Sequence, residues 1–271
     1  MTRSPLPVVA FACGAVAIVV SLASSVSSQT GATASHVSGT EKSGYVYAEP
    51  QTRAMQDDDF SNPGFLWVDK GKALFATVEG TAGKSCASCH GADGAGLKGA
   101  AATYPKYVPA LGRVVDIEQR IDDERISKMG APALVWESDG LLALTAFVKL
   151  QSRGVPVNVA TGGGAHATWL AGKTFYETRR GQLDMSCAQC HEQNNDRKLR
   201  TETLSQGQTN DFPVYRLSWQ TLGSVQRRFR ECNEQIRAEP LAYGSAEYVA
   251  LELYVASRGQ GLALEAPGVR K

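Results

Sequence analysis

Apolar residues recur at helical spacing in four stretches of this 271-residue chain, and long runs without a period separate them. The first stretch starts at Asp69 and carries Leu74 and Phe75 on its inner face. The second runs from Ser138 or Asp139 to Gln151. Its stripe is Leu141, Leu142, Thr145, Val148 and Leu150, Ser138 caps the first amides, and Gly154 ends the helix. The third runs from Trp169 or Leu170 to Arg179, and the fourth, capped by Ser245, buries Tyr248, Leu251, Glu252, Tyr254 and Val255. The pattern predicts a mostly α protein.

The stretches fall into two halves that carry the same marks in the same order. Gly71-Lys72-Ala73-Leu74-Phe75 stands early in one and Gly172-Lys173-Thr174-Phe175-Tyr176 in the other, and each half closes on Ser-Arg-Gly, at 152–154 and at 257–259. Such a repeat predicts internal duplication of one domain, as residues 63–155 and 168–271. Residues 156–167 join them, where Pro156 and Gly162-Gly163-Gly164 favour irregular backbone. Residues 31–62 form an N-terminal extension. Within and just beyond it, Glu41 to Pro63, with Asp57-Asp58-Asp59, has no period and is expected across the surface, and residues 37–50 are expected to be disordered. At the start, Met1-Thr2-Arg3, an apolar run from about Leu6 to Leu22 and a small-residue tail read as a secretory signal peptide over residues 1–30, with cleavage between Ser24 and His36. The same run is long enough to serve as a membrane anchor.

Charge narrows the picture only a little: 28 basic against 27 acidic residues argue against a nucleic-acid surface. The cysteines narrow it much further. Four of the six stand in Cys86-Ala87-Ser88-Cys89-His90 and Cys187-Ala188-Gln189-Cys190-His191, at corresponding places in the two halves. In Cys-x-x-Cys-His the two thiols add to the vinyl carbons of one c-type haem and the histidine becomes its axial ligand. Paired cysteines at this spacing also suit a redox dithiol or half of a zinc site. A dithiol, however, has no need of the histidine, and a zinc site needs a second pair nearby. Two complete motifs behind an export signal predict two covalently bound haem c groups, attached through Cys86, Cys89, Cys187 and Cys190 and ligated by His90 and His191. Two haems imply electron transfer, and the elements fit tandem c-type cytochrome domains. Cys13 falls in the leader, which leaves Cys232 single in an exported protein.

The far side of each iron takes His, Met or, less often, a thiolate. Beyond the motif histidines the mature chain offers His36, near its start, and His166, in the joining segment, together with Met55, Met129 and Met185. Cys232 lies in Arg227-Arg228-Phe229-Arg230-Glu231-Cys232-Asn233-Glu234-Gln235, between the second motif and the last helix, where a cytochrome domain brings its distal ligand. The arginines around it lower a thiol's pKa and attract a dianion such as a sulfur oxyanion. The same residues also read as a buried inert thiol beside a solvated arginine run. In the first half, laying Ser245 over Ser138 lays Cys232 over Arg125, so no thiol is available. The readings there are a haem ligated by Met129 and a haem left vacant or ligated differently.

Four strings in the second half carry a resemblance: Cys187-Ala188-Gln189-Cys190-His191-Glu192-Gln193-Asn194, Leu204-Ser205-Gln206-Gly207-Gln208, Tyr215-Arg216-Leu217-Ser218-Trp219-Gln220, and Phe229-Arg230-Glu231-Cys232-Asn233-Glu234-Gln235-Ile236-Arg237. From about residue 60 to the end the chain resembles the A subunit of the sulfur-oxidising c-type cytochrome, the L-cysteine S-thiosulfotransferase family. The resemblance implies a periplasmic enzyme paired with a smaller monohaem cytochrome c subunit. Such an enzyme joins thiosulfate oxidatively to the reactive cysteine of a sulfur-carrier protein and passes electrons to a c-type cytochrome acceptor. It also implies that Cys232 is both the catalytic residue and the distal ligand of the second haem, open to persulfide modification. Arg228 is the implied substrate arginine, with Arg216, Arg230 and Arg237 as alternatives. Two-haem members place a cysteine in the segment matching Arg120-Ile121-Asp122-Asp123-Glu124-Arg125, and this chain has none there. A first haem with Met129 in place of that thiolate has a higher potential. Two further functions fit the motifs: a dihaem electron carrier without sulfur chemistry, and a tetrathionate-forming thiosulfate dehydrogenase.

Overall fold

The computed structural model describes residues 1, 2, 4 and 36–271. The apolar leader, Cys13 and the cleavage stretch fall outside the described residues. Residues 36–271 pack as one unit. No helix among the described residues is long and apolar enough to cross a membrane.

In chain order the helices are α1 (Gly44–Tyr47), α2 (Pro50–Asp57), α3 (Phe65–Ala76), α4 (Ala87–His90), α5 (Ile117–Glu124), α6 (Asp139–Leu150), α7 (His166–Glu177), α8 (Cys187–His191), α9 (Val225–Gln235) and α10 (Ala246–Arg258). Each half is built on one crossing, α3 against α6 and α7 against α10. The glycine of each repeat mark makes the crossing possible: a Cβ at Gly71 would lie 2.0 Å from the Ala143 carbonyl oxygen, and one at Gly172 would lie 1.9 Å from that of Ala250. Helix backbones touch there, which no larger residue allows. The long helices end as read from the sequence. Ser138 accepts from the Leu141 amide and Ser245 from the Tyr248 amide, and Gly154 takes a left-handed φ of +80°. Helices α3 and α7 start about a turn earlier than expected.

Two expectations are corrected. Residues 37–50 are ordered, as a hairpin pairing Val37–Ser38 with Glu41–Lys42 followed by α1, and Glu41 to Pro63 is more than a surface strand of chain. This extension is tied to the C-terminus: Asn62 Nδ2 donates to the Pro267 carbonyl at 2.9 Å, Gln56 Oε1 accepts from the Val269 amide at 2.9 Å, and His36 Nδ1 meets Glu265 at 2.8 Å. Those partners lie more than 200 residues away, so no local period marks them. The C-terminal strand Gly268–Arg270 runs parallel to Val214–Arg216, whose other edge pairs antiparallel with Thr221–Gly223.

The joining segment is irregular apart from a 3₁₀ turn, Gly163–Ala165, but it is not a loose tether. Val157, Val159 and Ala165 are buried in a cluster with Ala101, Ala102 and Val114 of the first half and Val249, Leu253 and Leu264 of the second. Burying the two valines stabilises by about 2 kcal/mol each, a large part of a typical folding margin. Beside this cluster Gln226 Nε2 donates to Asp116 Oδ2 at 2.9 Å and reaches Glu252 at 3.5 Å. Asp116, Glu118 and Glu252 are all buried, and burial, with the like charges added, raises their pKa values.

Gly172→Ala is expected to destabilise the protein by about 3 kcal/mol or more, because the helices must separate. Gly162→Ala, where an added Cβ meets nothing within 4 Å, is expected to change stability by less than about 0.5 kcal/mol. Urea unfolding of the two variants checks this, and equal stabilities would refute the backbone contact.

Candidate functional site

The two Cys-x-x-Cys-His runs are short helical turns, which set both cysteines and the histidine along one side. At α8 the turn is started by a capping box: Ser186 accepts from the Gln189 amide and Gln189 Oε1 accepts from the Ser186 amide. His191 Nδ1 lies 2.8 Å from the Ser205 carbonyl oxygen. Donation of Nδ1–H to that oxygen leaves Nε2 with its lone pair free for a metal. Burial pushes the His191 pKa down to about 4, so the ring is neutral at neutral pH. Gly207, at a φ of +75°, lies against the ring; a Cβ there would come within 2.8 Å of His191 Cγ.

The cysteine environment fits thioether attachment better than the other uses of the motif. All five described cysteines are free. Burial pushes the Cys187 pKa up to about 12, with Cys232 adding to the rise and Arg180 opposing it. It also raises Cys190 and Cys86. A thiol kept protonated is a poor dithiol nucleophile or zinc ligand. Among the described residues no group of three or more His, Cys, Asp and Glu is placed to hold a metal ion. The donor set of each half, two thiols and one imidazole beside apolar rings, fits a haem c site; Cys86, Cys187 and Cys190 are half-buried and Cys89 is exposed.

Cys232 lies on α9 within electrostatic reach of both Cys187 and Cys190. Ser224 caps α9 by accepting from the Arg227 amide. One turn before the thiol, Arg228 bonds Glu231, which also receives Arg216 at 2.8 Å; Arg216 in turn holds Glu202 at 3.0 Å. Burial works against the charge of Arg228, but Cys232 and Glu231 outweigh it and raise its pKa. Arg216 shifts the other way, lowered by burial and by Arg228. Of the four arginines named from the sequence, Arg228 and Arg216 stand beside Cys232. Arg230 turns to the Leu241 carbonyl and the Tyr243 ring, and Arg237 is exposed. His36 stacks on Tyr45 and bonds Glu265, and His166 starts α7 with Nδ1 near the Thr161 carbonyl. Neither histidine is engaged with a motif.

In the first half the sequence slide is off by one residue. Asp116 caps α5 as Ser224 caps α9, and counting in step from these caps sets Glu124, not Arg125, opposite Cys232. The register recovers only after a π-helical turn, Arg125–Met129, which holds one residue more than the matching turn of the second half. By the same count Arg120 stands opposite Arg228, and it pairs with Glu124. Arg125 is buried and pairs with Glu79. Met129 is 4% exposed, and its Sδ lies 3.9 Å from Cys86 Sγ. Sequence reasoning named Ser205, Gly207 and Glu231 only within the resembling strings, without their roles, and missed Glu202. Only Gly207 carried a local signal, as a glycine amid polar residues.

The SoxA/TsdA cytochrome c domain model matches residues 70–157 and 171–264. The chain is 48% identical over 229 residues to the L-cysteine S-thiosulfotransferase subunit SoxA of Rhodovulum sulfidophilum, covering 84% of this chain and 80% of that protein. It is 43% identical to the SoxA subunit of Pseudaminobacter salicylatoxidans, again over 84% of this chain and 80% of the relative. The crystal structure of SoxXA from P. pantotrophus superposes with a TM-score of 0.82 at 40% identity, covering 85% of this chain and 87% of the matched one.

Burial pushes the Glu231 carboxyl up, but Arg228 and then Arg216 outweigh it and hold it below the ordinary carboxylate range. A depressed carboxyl stabilises fully above its unfolded pKa, and that contribution disappears as pH falls through the folded value. Glu231→Gln is therefore expected to cost about 2 kcal/mol near neutral pH, less than a fully buried pair because Arg216 keeps Glu202. The deficit should shrink below a pH of about 4. Denaturation across pH measures it, and a deficit independent of pH would show that the carboxylate charge is not what matters.

Proposed function

The chain belongs to the SoxA family of L-cysteine S-thiosulfotransferase subunits, and from that premise we propose that it joins thiosulfate to the cysteine of a sulfur-carrier protein at Cys232. The observation that carries the reading is the placement of that thiol beside the second haem motif with Arg228 and Arg216 at its side.

The overall change is a two-electron oxidation. The carrier's thiol and the outer sulfur of thiosulfate form a sulfur–sulfur bond, and one proton and two electrons leave. Bound haem c supplies one-electron acceptors for this. Cys86, Cys89 and His90 would hold the first haem, and Cys187, Cys190 and His191, together with Cys232, would hold the second. Arg228 and Arg216 place positive charge where an incoming dianion is favoured. In the covalent order, the Cys232 sulfur bonds the outer sulfur of thiosulfate with loss of two electrons. The carrier thiolate then attacks that same sulfur, and Cys232 departs as thiolate. A persulfide on Cys232 would instead arise from that adduct if water took the sulfonate group, releasing sulfate and leaving the outer sulfur on the cysteine. Met129 would supply a further ligand to the first haem; the extra residue of the π-helical turn and the 3.9 Å approach to Cys86 support it.

The partner of this chain is a smaller monohaem cytochrome c subunit, as the pairing in the superposed SoxXA structure suggests. A c-type cytochrome accepts the electrons, and the leader read from the sequence directs the protein to the periplasm. A tetrathionate-forming dehydrogenase is the second reading, because the family model spans SoxA and TsdA together.

With haem-loaded protein and its partner subunit, Cys232→Ser is expected to reduce thiosulfate-dependent conjugation of the carrier at least 1,000-fold (order of magnitude, about 4 kcal/mol), with two haem masses retained. Turnover of thiosulfate without any carrier would favour the dehydrogenase, and retained conjugation would reject Cys232. Met129→Leu is expected to abolish the charge-transfer absorption band that marks methionine-ligated ferric haem and to leave the second haem's spectrum unchanged. A wild type that lacks this band refutes the ligation.

A further inference from the structure

The strand that carries Arg216 belongs to one half of the chain and is buried in the other. Each half has an antiparallel hairpin just before a helix: Lys106–Val108 with Arg113–Val115 before α5, and Val214–Arg216 with Thr221–Gly223 before α9. The two hairpins are exchanged. Tyr107 and Val114 of the first pack with Trp169, Val249 and Leu253 of the second half. Tyr215 and the fully buried Leu222 of the second pack with Val68, Leu142 and Phe147 of the first half, and the Tyr215 ring lies 6.0 Å from that of Trp67. Successive side chains of a strand face opposite ways. With Tyr215 seated in the first half, Arg216 is aimed away from it, towards α9.

Arg216 is 6% exposed, and each of its three side-chain nitrogens donates to a different segment. Nε donates to the Lys271 carbonyl at 2.9 Å, one Nη to Glu202 at 3.0 Å and the other to Glu231 at 2.8 Å. The same Glu231 oxygen accepts from Arg228 at 2.5 Å. Arg228 stands on α9 four residues, about one turn, ahead of Cys232. A planar fork tied at three points holds the Glu231 carboxylate in one place, and that carboxylate holds the guanidinium beside the thiol. The first half lacks this arrangement. Its hairpin has the same register, which sets Val108 where the second has Arg216, and Arg120, opposite Arg228, pairs instead with Glu124.

Building on the proposed sulfur chemistry, we propose that Arg216 is a positioning residue for that reaction: seated by the first half, it fixes Glu231, and Glu231 fixes the Arg228 guanidinium that meets thiosulfate. A guanidinium already held in its binding geometry loses less side-chain freedom when the anion arrives, and that difference appears as affinity. Direct contact of Arg216 with the anion is the competing role.

The test uses the haem-loaded complex with its partner subunit, and thiosulfate binding is read by calorimetry in the absence of carrier. Arg216→Gln is expected to weaken binding about tenfold, the scale of one charge-assisted contact. In a protein that already carries Arg228→Gln the same change is expected to cost less than about twofold, because the group to be positioned is gone. Equal losses in the two backgrounds would mark direct contact and overturn the proposal, and so would wild-type affinity in Arg216→Gln. Glu231→Ala tests the sign, and it carries the test if Arg216→Gln does not fold. It removes a negative charge, which by itself strengthens binding of a dianion, whereas loss of the fixed carboxylate is expected to weaken it about tenfold. Unchanged or tighter binding in Glu231→Ala overturns the proposal. Cys232→Ser separates the two claims: if it still conjugates the carrier the underlying reading fails, and if it is inactive while the Arg216 and Glu231 variants bind as the wild type does, only the role of Arg216 fails.

Discussion

The contact of helix backbones at glycine, Gly172 against Ala250 and Gly71 against Ala143, is the constraint on which the rest of each half depends. Because α7 and α10 meet without side chains between them, the rings that follow on both helices are drawn into one wall: Tyr176 against Tyr254 at 5.2 Å and Phe175 against Tyr248 at 6.2 Å. Phe229 of α9 packs on that wall at 5.9 Å from Tyr248, and Asn233 bonds the Tyr248 hydroxyl. The helix bearing Cys232 is thus positioned by the crossing through a short chain of aromatic and polar contacts. The haem motif follows α7 by one turn and inherits the same placement.

On this shared frame the two copies hold opposite electrostatics. The first neutralises its distal side with Arg120–Glu124 and Glu79–Arg125. The second puts a thiol where the first has Glu124, and an arginine where it has Glu79. Glu231 and Glu202 balance Arg216 and Arg228 there. A duplicated scaffold tolerates such exchanges because the positions are half-buried: the backbone frame is carried by glycine, caps and rings, and the charges around it are free to be reassigned. The result is one half whose charges are closed into two ion pairs and one with a thiol beside Arg228 and Arg216.

Much of the frame and the attachment chemistry was legible in the sequence. The caps Ser138 and Ser245, the paired glycines, the closing Ser-Arg-Gly and both haem motifs are local patterns, each set by residues within about one helical turn of one another. The N-terminal extension was not legible, because its order comes from Asn62, Gln56 and His36 finding partners at Glu265, Pro267 and Val269. Nor was the joining segment: Val157 and Val159 read as loop residues and become core only when both halves close over them.

The sequence by itself determined the internal repeat, the two Cys-x-x-Cys-His runs, and the singular position of Cys232, because motif and capping patterns depend on spacing along the chain. Tertiary structure alone decided what faces what. One additional residue in a π-helical turn moved Glu124, rather than Arg125, opposite Cys232. Distant carboxylates selected which arginines are paired, and backbone hydrogen bonds fastened the turn before α8 to the end of α9. Ion pairing and helix register are properties of through-space distance, and a one-residue shift in a helix turns a side chain by about 100°, a difference that spacing along a chain does not record.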